Sequence, residues 1–252
     1  MPAPANALKA ALAAGRLTRG TWLNLGSEIT AEIAGRAGFD WCVVDGEHGP
    51  WDPTALRRQL IALEGTGAAG VLRVPVAEDW IIKQALDLGA QTLLVPMIDS
   101  AEEAAAVVRA CRYPPHGLRG MGPAVARSGG YGAFADYAAT ASDELCIIVQ
   151  AESRAAMADL EAICAVDGVD GVFIGPADLG ADMGLGTEAD ADALWAEVAS
   201  GLARIRAAGR AAGVLALSPD RQAQSVEAGA TFLGVASDAV LLQGALARAA
   251  QP

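Results

Sequence analysis

The sequence predicts a closed (β/α)8 barrel, and three observations carry that expectation. Eight short apolar runs recur along 252 residues, Ala-rich amphipathic stretches separate them, and several of those stretches stop at a glycine just before the next run. The runs are continuous rather than alternating, as parallel strands covered on both faces should be. Eight such units in about 250 residues close naturally into a barrel. An open doubly wound sheet is the competing architecture, but no GxGxxG follows the first run.

In chain order, an Ala-rich helical pattern comes first (MPAPANALKAALAAGR). The strand runs then fall at 21–25, 41–45, 70–74, 92–96, 145–150, 171–174, 213–216 and 231–235. Helical patterns lie between them, among others at 52–64, 77–88, 101–111, 154–164 and 190–208. Gly38, Gly89, Gly168 and Gly229 are the stops that lead into strands. One long irregular, Gly-rich stretch, 113–132, precedes the fifth strand. A loop of that length is either functional or a surface insertion. No linker, charge block or low-complexity segment divides the chain, so residues 1–252 are expected to form one domain.

Composition narrows the function classes. A hydrophobic share of 53% supports a large core, while the net charge of -12 argues against a nucleic-acid surface. No apolar run approaches the ~18 residues of a spanning helix, so no membrane partner is expected. The N-terminus lacks the basic start and apolar block of a secretory signal. Cys42, Cys111, Cys146 and Cys164 form no C-x-x-C pair, and reduced buried thiols in a cytoplasmic protein are the expectation.

Catalytic groups of a barrel sit at the C-terminal ends of strands and in the loops that follow. The second run ends in Asp45, with Glu47 and His48 next; the third carries Arg73; the fifth ends Gln150-Ala151-Glu152; Asp178 follows the sixth. Residues two apart in an extended segment point the same way, so Gln150 and Glu152 share a face. Two carboxylates without a nearby thiolate make a hard oxygen site for Mg²⁺, Mn²⁺ or Co²⁺. The alternatives are that Glu152 and Asp178 cap the helices after them, or that they form the acid/base pair of a glycosidase. His48 is a candidate base, or a structural histidine. Arg73 faces an anion, or pairs with Asp45. His116, the other histidine, fits a surface or lid position in the 113–132 stretch.

The two lysines exclude one mechanism. A Schiff-base enzyme needs a lysine projecting from a strand into the barrel mouth, but Lys9 and Lys83 both fall in helical patterns. No organic cofactor is expected. The loops after the seventh and eighth strands, ALSP and VASD, lack the glycines of the usual barrel phosphate site, which favours a non-phosphorylated substrate.

The segments DWCVVDGEHGP, GVLRVP, IKQALDLGAQTLLVPMIDSAEEA, RYPPHGLRG, IVQAES and GVDGVFIGPADL resemble the HpcH/HpaI family of metal-dependent (class II) pyruvate or 2-oxo acid aldolases, over about 21–232. The resemblance implies a divalent metal held by Glu152 and Asp178 that chelates the keto acid, and His48 as base through a metal-bound water. It implies Asp87 close to His48, strengthening it as a base, and Arg73 stabilising the enolate. Gln150 and the backbone at Ala177 would bind the carboxylate, with Asp45 supporting the site from behind. It further implies reversible cleavage of 4-hydroxy-2-oxo acids into pyruvate or hydroxypyruvate plus an aldehyde. The aldehyde end would meet Trp22, the 113–132 stretch and a neighbouring subunit. A homohexamer with exchanged C-terminal helices, 238–249 here, is implied as well. A citryl- or malyl-CoA lyase relative and a non-catalytic barrel binding small acids are the alternative readings.

Overall fold

The computed structural model describes residues 1–251. α1 (Ala7–Ala13) is capped by the Asn6 side chain, which accepts from the Lys9 amide at 3.0 Å. Leu8 and Leu12 of α1 pack into the barrel interior, and Lys9 Nζ donates to the Leu145 carbonyl at 2.6 Å. The helix therefore plugs the N-terminal end of the barrel.

Eight parallel strands follow: β1 (Thr18–Leu23), β2 (Trp41–Asp45), β3 (Ala69–Arg73), β4 (Thr92–Val95), β5 (Cys146–Ala151), β6 (Gly171–Ile174), β7 (Ala211–Leu215) and β8 (Phe232–Ser237). They close in sequence order, with β8 pairing back to β1. The remaining helices are α2 (Glu28–Gly35), α3 (Pro53–Leu63), α4 (Asp79–Asp87), α5 (Ala101–Cys111), α6 (Tyr137–Glu144), α7 (Arg154–Ala158), α8 (Leu160–Ala165), α9 (Pro176–Met183), α10 (Ala191–Ala207), α11 (Pro219–Glu227) and α12 (Asp238–Ala249). Among the described residues no helix is long and apolar enough to cross a membrane.

Side chains alternate between two cores. Trp22, Trp41, Val43, Val71, Leu94, Ile148, Phe173 and Phe232 fill the barrel, while Leu23, Val44, Leu72, Val95, Val149 and Ile174 pack against the helices. Trp41 stacks on Phe232 at 3.8 Å and meets Trp22 edge-on at 5.6 Å. Gly20 makes this possible, because a Cβ there would overlap the Trp41 ring. The same parity carries polar side chains into the mouth one step above the aromatic layer.

The structure departs from expectation in three places. β1 begins three residues earlier than the apolar run, because Thr18 pairs with Phe232 of β8 and its hydroxyl bonds the Thr231 carbonyl. The 154–164 pattern is broken at Asp159, whose carboxylate accepts from the Ala101 amide at 2.7 Å, leaving α7 and α8 as separate short helices. The 113–132 stretch follows α5, so it lies at the N-terminal end of the barrel, opposite the strand C-termini. It is ordered around Arg119, which is buried against the rings of Tyr113 and Tyr137 at 4.5 and 5.7 Å. Within one chain this stretch, His116 included, cannot line the mouth.

All four cysteines are free and buried, and burial pushes the Cys42 and Cys111 thiols up to about 12. α12 buries none of its residues and leaves Val240, Leu241, Leu242 and Leu246 exposed.

Candidate active site

β2 and β3 run in register, so Asp45 and Arg73 stand side by side at their C-terminal ends. Arg73 grips Asp45 with two parallel bonds, Nε to Oδ1 at 2.8 Å and Nη2 to Oδ2 at 2.7 Å. Its Nη1 lies 2.7 Å from Glu47 Oε2. Burial opposes the charge on Arg73, but the hydrogen bonds and charge of Asp45, with Glu47 and Glu152 nearby, outweigh it and raise its pKa. The salt-bridge alternative and the anion-facing alternative for Arg73 are thus not exclusive: the fork holds Asp45 while the side chain also lines the mouth. Asp45 Oδ1 also accepts from the backbone amides of Glu47 and His48, at 3.1 and 3.3 Å. It thereby shapes the turn that presents His48.

Gln150 and Glu152 do share a face, and Gln150 Nε2 donates to Glu152 Oε1 at 2.5 Å. Glu152 is only 3% exposed. Its other oxygen accepts from the Met97 amide at 3.1 Å, which Met97 reaches by adopting a left-handed φ of 54°. Gly175 clears the space, since a Cβ there would collide with Glu152 Oε1. Burial raises the Glu152 carboxyl to about 7, with the negative charges of Glu47 and Asp178 adding to the shift and the Met97 amide opposing it. Glu47 is raised too, first by burial and against the pull of Arg73.

The helix-capping alternatives do not hold. Ser153, not Glu152, caps α7 by accepting from the Ala156 amide at 3.0 Å. Asp178 lies in the first turn of α9, after Pro176 and Ala177, and makes no capping bond. Its carboxylate opens toward the mouth instead, in a position that suits the helix dipole.

These residues line one cavity of about 290 Å³, with Trp22, Asn24, His48, Arg73, Gln150, Glu152, Phe173, Ala177, Asp178 and Leu215 in its wall. No lysine borders it. Gln150 Oε1 is buried there without a partner. A hollow of about 370 Å³ at the other end of the barrel is less suited to chemistry. Its charges are spent on one another, in the pairs Arg16 with Asp40 and Arg127 with Glu64.

Asp87 is the exception. It was expected beside His48, but it ends α4, which descends to the N-terminal end of the barrel. There Arg119 Nη2 holds one of its oxygens at 2.9 Å, and Asp87 borders a separate surface hollow with Lys83 and Tyr131. A helix of nine residues separates it from the mouth, so the two residues do not meet within one chain. Asn24, Met97 and Ser237, by contrast, belong to the site or its support and are absent from the sequence-based set.

Known proteins resemble this chain over most of its length. The model of the HpcH/HpaI aldolase/citrate lyase family matches residues 18–245. A hydroxypyruvate/pyruvate aldolase of Agrobacterium fabrum is 54% identical over 238 residues, covering 94% of this chain and 90% of that one. A 4-hydroxy-2-oxovalerate aldolase of Rhodococcus jostii is 48% identical, covering 96% and 93%. The crystal structure of a family protein from Burkholderia cenocepacia superposes with a TM-score of 0.90 at 38% identity, covering 97% of both chains. With the polar groups gathered at the mouth of a closed barrel and the family match spanning nearly its whole length, this chain belongs to the HpcH/HpaI aldolase/citrate lyase family and is a lyase.

Proposed function

We propose that the protein is a divalent-metal-dependent class II aldolase that reversibly cleaves 4-hydroxy-2-oxo acids into pyruvate or hydroxypyruvate plus an aldehyde. The observation that carries this is the convergence of Arg73, Gln150, Glu152 and Asp178 on one cavity with His48 in its wall. Relatives named as hydroxypyruvate/pyruvate aldolases support the choice of donor.

The donor set fits a hard cation. Among the described residues no group of three or more metal-ligating side chains occurs. Glu152 and Asp178 both border the cavity, and two carboxylate ligands would leave other positions for substrate and water. A buried Glu152 carboxyl raised to about 7 beside other carboxylates is a site short of positive charge. Mg²⁺, Mn²⁺ or Co²⁺ held by Glu152 and Asp178 would supply Lewis-acid polarisation of the keto oxygen.

The protein's own residues do the rest. The Gln150 Nε2, whose second N–H would remain to donate beside its bond to Glu152, and the backbone at Ala177, in the first turn of α9, receive the substrate carboxylate. Arg73, already cationic and aligned by Asp45, faces the oxygen on which negative charge grows. As the C3–C4 bond breaks, His48 takes the proton of the C4 hydroxyl, and that carbon departs as the aldehyde. The remaining enolate takes a proton at C3 from His48, and in the synthetic direction His48 removes it. Trp22 and Phe173, 5.5 Å apart, give the cavity an apolar floor. Apart from Arg73 the lining holds no arginine or lysine, which favours a small acid over a CoA thioester.

The assembly is part of the proposal. The exposed apolar side chains of α12 and of Ile29 and Ile33 on α2 suit a homo-oligomer, for which a hexamer with exchanged C-terminal helices is the family expectation. Asp87 and the 113–132 stretch would then serve the mouth of another copy.

A screen of 2-oxo acid and aldehyde pairs tests the reading. Activity should vanish with EDTA and return with Mn²⁺, Co²⁺ or Mg²⁺; full activity in a verified metal-free sample, or none with any pair in the presence of metal, overturns it. Arg73→Lys should lower turnover by on the order of 10²-fold, because an ammonium keeps the charge but loses the fork that holds Asp45 and an enolate oxygen together. Near wild-type turnover would mark Arg73 as structural.

A further inference from the structure

β1 ends one residue before Asn24, whose side chain continues the inward parity of Gly20 and Trp22. Its two polar atoms are both engaged. Ser237 Oγ donates to Asn24 Oδ1 at 2.8 Å, and Asn24 Nδ2 donates to Asp45 Oδ2. The backbone amide of Asn24 is fixed as well, donating to Asp238 Oδ1 at 2.8 Å. The Asp45 carboxylate, which only accepts, sets which end of the amide faces it, since a reversed amide would bring two oxygens together there. The Ser237 hydroxyl, free to donate or accept, donates to the other end and holds it. The chain of bonds runs from β8 through β1 and β2 to the guanidinium on β3.

Asp45 is the hub. Its side chain is fully shielded from solvent. Oδ1 is occupied by Arg73 Nε and the amides of Glu47 and His48, and Oδ2 by Arg73 Nη2 and Asn24. A carboxylate so placed sets both the plane of the guanidinium and the path of the turn carrying His48. Among the described residues, Asn24 is the only side chain other than Arg73 that bonds it.

We propose that Asn24, anchored by Ser237, is a positioning residue that aligns Arg73 and His48 through Asp45. This rests on the aldolase reading above and deepens it. Removing the amide leaves a buried carboxylate oxygen short of a donor, a loss of the kind that is large for charged acceptors. The carboxylate then turns or recruits water, and the guanidinium turns with it. Small misplacements of a preorganised donor cost turnover more than binding, because the charge it serves develops only in the transition state.

The test is a set of variants of the full-length, metal-loaded enzyme assayed with pyruvate and one aldehyde. Asn24→Leu should lower kcat by about tenfold to a hundredfold while the KM for pyruvate stays within about threefold. Ser237→Ala should give a smaller loss, since it frees the amide to rotate without removing it. The double variant should be no worse than Asn24→Leu, because both act through one amide. Independent, multiplying losses would break the relay, and a raised KM with unchanged kcat would make Asn24 a substrate contact. Asn24→Ser, whose hydroxyl is too short to reach Asp45, carries the same expectation should Asn24→Leu fail to fold. If Arg73→Lys is inactive and Asn24→Leu turns over like wild type, only this inference fails. If Arg73→Lys is active, the role of Arg73 fails with it.

Discussion

His48→Ala should slow exchange of the pyruvate methyl protons with D₂O by on the order of 10²- to 10⁴-fold, the usual contribution of a positioned base. Metal affinity should stay nearly unchanged, because the ligands in this reading are Glu152 and Asp178. Within one chain the competing bases are poorly placed. Glu47 is committed to Arg73 at 2.7 Å, and His116 belongs to the stretch at the far end of the barrel. Exchange at the wild-type rate would make His48 a bystander, and loss of the metal would make it a ligand. A second measurement addresses Asp87. Arg119 holds only one of its oxygens, and Asp87 is 29% exposed, so the carboxylate is available to another copy. Asp87→Asn alone should be a milder defect. Mixed assemblies of His48→Ala and Asp87→Asn chains should show more activity than the two variants separately, since some mouths then regain both residues. No gain on mixing would confine Asp87 to its own chain.

How much of this was legible in the sequence follows from which forces act locally. Strands buried on both faces are continuous apolar runs, so all eight were found, and Gly38, Gly89, Gly168 and Gly229 do adopt the left-handed φ that stops a helix. The parity of β5 correctly joined Gln150 to Glu152. Boundaries set by pairing partners were not legible. The expected first strand, 21–25, buried Asn24 inside the strand, whereas the pairing of β1 with β8 ends it at Leu23 and leaves Asn24 at the rim. Two residues separate Asn24 from the inward Trp22, and that spacing was the available signal. Met97 contributes a backbone amide, which carries no residue signature. Asp87 is a different case: a motif names residues of a site without saying which chain supplies them, and within one chain Asp87 ends α4 beside Arg119, away from His48. The capping alternative for Glu152 fell to its neighbour Ser153, a better cap one position later.

Glu152→Gln should abolish turnover, weaken metal binding sharply and yet stabilise the metal-free protein at alkaline pH. The carboxyl has its ordinary pKa of about 4.5 when exposed and is raised to about 7 in the fold, chiefly because burial strips it of water. The folded-state pKa lies above the unfolded one. Between these values the unfolded chain has released its proton while the folded chain retains it, so stability falls as pH rises through the window. The penalty is absent below about 4.5 and complete above about 7, where it amounts to on the order of 3 kcal/mol. An amide does not ionise, so Glu152→Gln escapes the penalty. Its oxygen can still accept from the Met97 amide, and its new NH₂ faces Gln150, whose own Oε1 is buried without a partner and can turn to accept it. Urea unfolding in chelator should therefore show the variant ahead of wild type at pH 8, with the gap closing toward pH 5. Saturating metal should reverse the order, because a ligand that binds only the folded state stabilises the chain that binds it best. A variant less stable at pH 8 in chelator, or a gap that ignores pH, would mean that Glu152 is ionised at no cost in the empty site, and its role as a carboxylate awaiting a cation would lose its physical basis.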